Sequence, residues 1–562
     1  MAAPTSTLRT LLAAALFAAP LLAASTDAQD TFTTQVVVEG LNKPVWAGAP
    51  PGDGRVFVLE QNTSRILLVH PDGTASLFLD LSDRVYVLGY ERGLRALAFH
   101  PLFASNGLFY VAYTAQPDGD VRLERFRVSA DPDVADAQSG LVLLEESLPD
   151  QFHSGGDLEF GPDGMLYFGM GDGGYLAPCL AQEGDSLLGK LLRLDVDGGT
   201  PYAIPPDNPF VDDPGVRDEV WHLGLRQPWR FGFDPEGGAL YLPDVGEYAQ
   251  EEINVVPAGV GGLNFGWPEM EGDYCTAYDC GAAGCLAPSY TAPTFTYDHA
   301  TLFGCKAVVG GEVYRGCALP ALQGRFFYGD FCDAELWSFR WDPQEGVSEL
   351  VDHTDELQSG APVGGVASIG RDGYGEILLV DSQGPGRVLR LVPTTPAVDL
   401  IDCDGDGLHD PCVIAQLPAL DLDSNGELDA CQSFSAASGA LSLSQGGVQP
   451  MRLHAGAQQA GATYVIAGSA SGSCCLSLGG ALIPLALDDY SFLLFDQLGQ
   501  LPIAASPGVL DAAGQAEAFF VVWPGQWPAS LAGTHLFHAY VLLGADGWPV
   551  FASNPLRLDL LP

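Results

Sequence analysis

The residues best suited to chemistry fall between His153 and Asn254. His153 opens the run His153-Ser154-Gly155-Gly156-Asp157, and Asp172 follows nineteen residues later within Gly171-Asp172-Gly173-Gly174. That separation is one strand–turn–strand traverse, which returns the second side chain to the rim where the first began. An imidazole held by a carboxylate is a general base suited to neutral pH. Two polar segments follow: Gly224-Leu225-Arg226-Gln227-Pro228-Trp229-Arg230, then Asp244-Val245-Gly246-Glu247, running on to Glu251-Glu252-Ile253-Asn254. Glu251 and Glu252 are a carboxylate pair of the type glycoside hydrolysis uses, yet adjacent residues on a strand point to opposite faces, which makes a hydrolase the weaker reading. A separate chemistry lies further on. Asp402, Asp404, Asp406 and Asp410, echoed by Asp421, Asp423, Asn425 and Asp429, put oxygen ligands at positions 1, 3, 5 and 9, with Gly407 and Gly426 at position 6. This is the front of a calcium-binding loop, although Val413 and Gln432 stand where a bidentate Glu would close it.

The elements that must position these residues are short β runs. Six times between Arg55 and Val392 an apolar strand, a Gly- or Asp-marked turn and a second apolar strand recur, as in Leu166-Tyr167-Phe168, Leu240-Tyr241-Leu242 and Ile377-Leu378-Leu379-Val380. Almost no stretch has helical period. The expected fold is therefore all-β: a six-bladed β-propeller over 33–393, in which loops at an axial mouth carry the site. Pro393-Thr394-Thr395-Pro396 reads as a stiff linker, 397–432 as the Asp-rich calcium segment, and 433–562 as a β-sandwich of unassigned role, open to use in cell-surface or carbohydrate attachment. His535 and His538 in that last region are read as sharing one strand face and as structural.

Residues 1–28 read as a secretory signal: Arg9, an apolar run from Leu11 to Ala24 that falls short of the ~20 residues of a membrane span, then small residues suited to cleavage. No later segment reaches spanning length. Twelve cysteines fit an oxidising compartment; Cys275, Cys280, Cys285, Cys305, Cys317 and Cys332 cluster in loops and are expected to be disulfide-bonded with pairing open, whereas Cys179 stands alone. The 71 acidic and 24 basic residues give a net charge of −47, and only Lys43, Lys190 and Lys306 are lysines. Such a surface repels nucleic acid and anionic lipid and favours cations.

Three stretches in order, "HSGGDLEFGPDGMLYFGMGDGG", "GLRQPWRFGFD" and "EEINVVPAGVGGLNFGWP", resemble the soluble glucose/sorbosone dehydrogenases, six-bladed propellers that include aldose dehydrogenases using pyrroloquinoline quinone (PQQ). The Asp-rich loops resemble those of dockerins and thrombospondin type 3 repeats. The resemblance implies an exported oxidoreductase with PQQ and Ca2+ as cofactors, a sugar as substrate and an unnamed electron acceptor as partner. It implies that His153 takes the proton of the anomeric hydroxyl, that Asp172 orients the imidazole and that Arg226 stabilises charge on the quinone oxygen. Arg226, Gln227 and Glu91 would contact the cofactor, and the carbonyls of Gly246 and Glu247 would hold calcium. The same family includes secreted propellers related to hedgehog-interacting protein, which implies the alternative of a non-catalytic binding propeller. Three positions depart from the family pattern: Gln227 replaces an Asn, Cys332 stands where a cofactor-binding Lys is usual, and Pro362 to Gly364 lacks the usual pair of arginines.

Overall fold

A computed structural model describes residues 32–394 and 433–562, apart from 71–72, 282–283, 300–304, 437–439, 472–475, 479–480, 484, 487, 497–500 and 545–546. The signal segment and the calcium loops of 397–432 lie outside the described residues. Residues 32–393 form six antiparallel sheets of four strands each. The sequence motif proves to be the central strands of each blade. Each blade also has a first strand against the axis, in two cases only two residues long, and an outer fourth strand. The first strands are Pro44–Gly48, Leu94–Phe99, Leu158–Phe160, Gly232–Phe233, Val308–Val309 and Val366–Arg371. The two-residue strands Gly232–Phe233 and Val308–Val309 are too short for a periodicity reading.

The ring closes through its N-terminus. Phe32–Glu39 pairs antiparallel with Arg387–Pro393 and supplies the outer strand of the last blade, from Phe32 opposite Pro393 to Glu39 opposite Arg387. Six separate apolar clusters hold the blades together, one at each junction, such as Phe57, Phe78, Phe109 and Phe126 between the first two blades.

A polar knot ties the axis. Arg230 is fully buried and donates to the carbonyls of Val45, Arg95, Gly156 and Trp229 and to the Ser368 hydroxyl, so one guanidinium reaches five of the six blades. Trp229 lies between Arg95 and Arg230, each 4.3 Å from its ring, and its indole N–H donates to the Ala367 carbonyl at 2.8 Å. Burial lowers the two guanidiniums to about 9 and about 10, so both stay charged near neutrality. At the mouth far from His153 a cavity of about 270 Å3 is lined by Trp46, Phe99, Glu159, Glu312 and Arg371. Arg371 bridges Glu159 at 2.6 Å and Glu312 at 3.2 Å.

From residue 433 onward two sheets share one core. The first has the order 434–436, 447–454, 515–522, 503–504, and the second 440–442, 556–561, 535–543, 463–469, 508–509. Phe434, Met451 and Phe520 of one meet Ile466, Tyr540 and Leu558 of the other. His535 and His538 do not share a face. They are three positions apart, so strand alternation turns them to opposite sides. His535 pairs with Asp559 at 2.7 Å in solvent, while buried His538 lies 2.7 Å from the Tyr490 hydroxyl.

Arg230→Ala should cost more than about 4 kcal/mol in chemical unfolding, because four carbonyls lose a charged donor in the dry axis. Arg230→Lys, with three donors, should restore only part of the loss. Unfolding should also depend on pH. Burial pushes Asp157 up to about 7 and Glu312 up to about 8. The folded chain then holds these protons more tightly than the unfolded one, so the stability these two groups contribute is fully present below pH about 4 and is lost as pH rises through 7 to 8, by up to ~1.4 kcal/mol per unit for each group. Thermal melts between pH 5 and 8 should show that decline, and Glu312→Gln should flatten it.

Candidate active site

His153, Asp172, Arg226, Gln227 and Glu91 gather at one end of the axis, where the chain enters the first strand of each blade. His153 precedes Leu158–Phe160, Asp172 follows Leu166–Met170, Arg226 and Gln227 precede Gly232–Phe233, and Glu91 precedes Leu94–Phe99. The pairing of Leu158 with Phe168 continues beyond the strands through Gly169 N–H to the Asp157 carbonyl, which carries His153 back beside Asp172. Backbones approach closely here: a Cβ on Gly156 would lie 2.0 Å from the Trp229 carbonyl oxygen, and one on Gly171 2.2 Å from that of His153. His153 itself has φ of 53°, a left-handed conformation fixed by its surroundings. Its side chain is buried.

The His153 Nδ1 and Asp172 Oδ1 atoms are 2.6 Å apart. A carboxylate can only accept, so Nδ1 carries a proton, and in the neutral imidazole Nε2 keeps its lone pair. The remaining capacity of Asp172 is filled: Trp267 Nε1 donates to Oδ2 at 2.8 Å, Gly174 N–H to Oδ1 at 2.8 Å. The backbone N–H of Asp172 donates to the Arg226 carbonyl at 2.8 Å, which links the base to the guanidinium's own segment.

Arg226 is held from behind by Asp244, which accepts from the N–H groups of Arg226 at 2.7 Å and Gln227 at 2.6 Å. Its guanidinium donates to the Val245 carbonyl at 3.0 Å and lies 5.4 Å from the Trp267 ring and 6.0 Å from that of Tyr175. Burial opposes its charge, but Asp172, Tyr175, Glu247 and Glu251 outweigh that and raise its pKa. Glu91 accepts from His153 N–H at 2.8 Å and Gln227 Nε2 at 3.2 Å, so it braces both partners. Two buried atoms at this mouth, Arg226 Nε and Gln227 Oε1, have no hydrogen-bond partner among the described residues.

The loop bearing Gly246 and Glu247 wraps a carboxylate: Glu271 Oε1 accepts from the N–H groups of Glu247, Tyr248 and Ala249 at 2.6 to 2.8 Å. Glu247 takes the Tyr278 hydroxyl, Glu251 meets His299 at 2.7 Å, and burial pushes Glu252 up to about 7. Glu251 and Glu252 thus have separate partners and do not form a hydrolytic pair. Among the described residues no group of three or more His, Cys, Asp or Glu has metal-holding geometry.

The basic residues at the mouth come from unexpected places. Arg387 donates to the Pro362 carbonyl and pairs with Asp381 at 2.6 Å, filling from another strand the stretch that lacks the arginine pair. Lys306 lies next to Cys305, which is bridged to Cys332, and pairs with Asp333 at 2.7 Å and Glu335 at 2.9 Å. Lys43 donates to the Tyr90 carbonyl at 3.4 Å and makes no ion pair among the described residues; burial and Arg95 lower its pKa against the pull of Glu91. None of the three was marked as functional, because their positions in sequence match no motif. Trp267 was likewise quoted in a motif without a role.

Disulfides pin the walls. Cys179, alone in the sequence, bridges to Cys280 across 101 residues and ties the turn after Asp172 to the long insertion of the fourth blade; Cys275 bridges to Cys285, and Cys317 is also disulfide-bonded.

Comparison with known proteins decides the family. Residues 41–390 match the glucose/sorbosone dehydrogenase family. The chain belongs to that family. It is 29% identical over 381 residues to human Hedgehog-interacting protein, covering 63% of this chain and 50% of that one. It is 27% identical over 391 residues to the aldose sugar dehydrogenase YliI of Escherichia coli, covering 68% and 96%. The PQQ-bound aldose sugar dehydrogenase of Streptomyces coelicolor shares the propeller fold, with a TM-score of 0.50 and 23% identity over 65% of this chain and 98% of that one. The chain spans only about half to three-fifths of the length of the human relative and of the Arabidopsis thaliana HIPL1 protein.

Trp267→Phe should lower stability by about 1–2 kcal/mol, since it removes a donor from a buried carboxylate while keeping the ring. Urea unfolding of the two proteins measures it.

Proposed function

We propose that the protein is an exported, PQQ- and calcium-dependent dehydrogenase that oxidises the anomeric C–OH of an aldose. The observation that carries this reading is the His153–Asp172 pair at the axial mouth, with Nε2 free to accept a proton, beside an Arg226 whose Nε is buried and unpartnered. The residues present fit the cofactor: Arg226 Nε offers a donor and Gln227 Oε1 an acceptor without partners, and Lys43 offers a cation not bound to a carboxylate. PQQ, when bound, would supply the hydride acceptor. His153 Nε2 would take the hydroxyl proton as the C–H bond breaks, while Asp172 stabilises the resulting imidazolium through Nδ1–H. Arg226, kept charged by its acidic neighbours, would face the negative charge that develops as the acceptor is reduced. The walls formed by Trp267, Tyr175 and the disulfide-pinned loops keep bulk water from the imidazole, which strengthens each of these interactions.

Export accords with the bridges at Cys179–Cys280, Cys275–Cys285 and Cys305–Cys332. No described helix is long and apolar enough to cross a membrane. A second reading, a binding propeller without catalysis, is favoured by one observation: Lys306 and Arg387, the cations nearest the two departures from the family pattern, are already neutralised by Asp333, Glu335 and Asp381.

The deciding experiment is dye reduction by the full chain reconstituted with PQQ and calcium across a panel of aldoses. Turnover supports the dehydrogenase; none with any sugar leaves the binding propeller. In an active preparation His153→Gln should lose ~10²–10⁴ in kcat while its fold is kept. Lys43→Gln should raise the Kd for PQQ about tenfold, as loss of one charge-assisted contact predicts, which fluorescence titration measures.

A further inference from the structure

We infer that the cavity at the mouth opposite His153 binds a small organic cation, an ammonium or guanidinium head on a short apolar stem, with the head between Glu159 and Glu312 and the stem against Trp46 and Phe99. The cavity lies at the far ends of the first strands, beyond Gly48, Phe99, Phe160 and Arg371. It includes neither His153 nor Asp172, so the inference does not depend on the dehydrogenase reading.

Charge is out of balance there. Asp157, Glu159 and Glu312 border the space, and of the described residues bordering it Arg371 alone is a permanent cation. Arg371 bridges Glu159 at 2.6 Å and Glu312 at 3.2 Å. The other charged groups nearby are engaged elsewhere. Arg230 stands behind Asp157 but gives its donors to the axis, and Asp234, near Arg371, pairs with Arg315 at 2.8 Å. His100 at the rim faces Asp197 at 3.2 Å and takes the Leu102 N–H on Nδ1. Asp157 accepts from the N–H groups of Leu158 and Phe231. Glu312 is different. It is 8% exposed, its Oε2 accepts from Arg371, and its Oε1 has no hydrogen-bond partner among the described residues. Glu159 likewise gives one oxygen to Arg371 and keeps the other open. A buried carboxylate oxygen without a donor is costly until a proton or a cation meets it.

The walls decide which cation. The Trp46 and Phe99 rings lie 6.4 Å apart at an interplanar angle of 54°, an angled aromatic corner bordering the same space. Aromatic faces attract an organic cation and cover its stem. The carboxylates do not converge as metal ligands do, since no described group of three or more has metal-holding geometry. About 270 Å3 is the volume of roughly nine waters, enough for n-butylammonium or agmatine and too little for a folded chain. Protons occupy the site when no cation does: burial raises Asp157 to about 7, Glu312 to about 8, and Glu159 in the same direction. Arg371 stays charged, supported by Glu312 and Glu159. An entering cation favours the ionised carboxylates and displaces those protons, so binding tightens as pH rises through 7 to 8, where an alkylammonium is still charged.

The test is calorimetry on the full chain without PQQ, at physiological salt, with n-butylammonium, agmatine and uncharged 1-butanol as probes. We expect one equivalent of at least one cationic probe to bind, butanol not to bind, and Kd to fall about tenfold or more between pH 6 and pH 8.5. Heats in two buffers of unlike ionisation enthalpy should show proton release. Glu312→Gln should raise Kd about tenfold and reduce that release, and Trp46→Leu should raise Kd about fivefold. Glu159→Gln, at a more exposed position, should weaken binding in the same direction and serves where Glu312→Gln fails to fold, which thermal melts report. The site is overturned by any of four results: no cation bound at pH 8.5, butanol bound as well as butylammonium, calcium displacing the probe at a concentration below the probe's own, or affinity left intact by a folded glutamine variant or by Trp46→Leu.

Discussion

The structure depends on one buried cation. Arg230 offers its donors to backbone carbonyls or a hydroxyl of five blades at the point where their first strands converge. Each first strand is the inner edge of its sheet, so the backbone groups on its axial side have no ladder partner, and an unpaired buried carbonyl is costly. A single guanidinium solves this for several blades at once, because its planar fork can serve diverging acceptors. Trp229 and Arg95 complete the stack, and Arg95 in turn holds the Gly155 carbonyl and that of Glu91. The knot that closes the ring therefore also fixes the segment His153–Gly156. Fold and site share a foundation.

From that foundation the site follows by short steps. The Gly-Gly after His153 lets the chain pass within contact distance of Trp229, and the ladder of the third blade then places Asp172 against the imidazole. Asp172 is saturated by Trp267 and Gly174, so its charge is spent on orientation rather than on attracting a ligand. Asp244 does the same for Arg226 from behind. Arg226 Nε and Gln227 Oε1 remain buried without a partner among the described residues, and His153 Nε2 makes no hydrogen bond to the Asp172 carboxylate that holds Nδ1.

The sequence showed more of the ring than of its mouth. Six strand–turn–strand units were legible because the central strands are continuous apolar runs, buried on both faces, and their turns carry Asp and Gly. The axial strands, two residues long at Gly232–Phe233 and Val308–Val309, have no period to read. The His153–Asp172 pair was legible because one traverse of a β-hairpin is a fixed length. Lys43, Trp267, Lys306 and Arg387 were not, since each belongs to a different blade and no local pattern marks it. Trp229 and Arg230 stood in plain view inside a motif, but no local pattern separates an axial tie from a catalytic cation. The partner of Cys179 was hidden for the same reason, being 101 residues away.

The departures from the family pattern take on a different meaning in three dimensions. Read position by position, Cys332 and Pro362–Gly364 are losses of positive charge. In the folded chain Lys306 stands beside the Cys305–Cys332 bridge, and Arg387 reaches the Pro362 carbonyl, so cations are present near both places. They are engaged by Asp333, Glu335 and Asp381, whereas Lys43 is not engaged by any described carboxylate. The positive potential at the mouth is thereby moved from the fifth and sixth blades toward the first, the side on which Glu91, Tyr90 and Phe152 lie. An anionic group entering this mouth would be drawn toward Lys43 and Arg226, leaving the side of the fifth and sixth blades to its uncharged end.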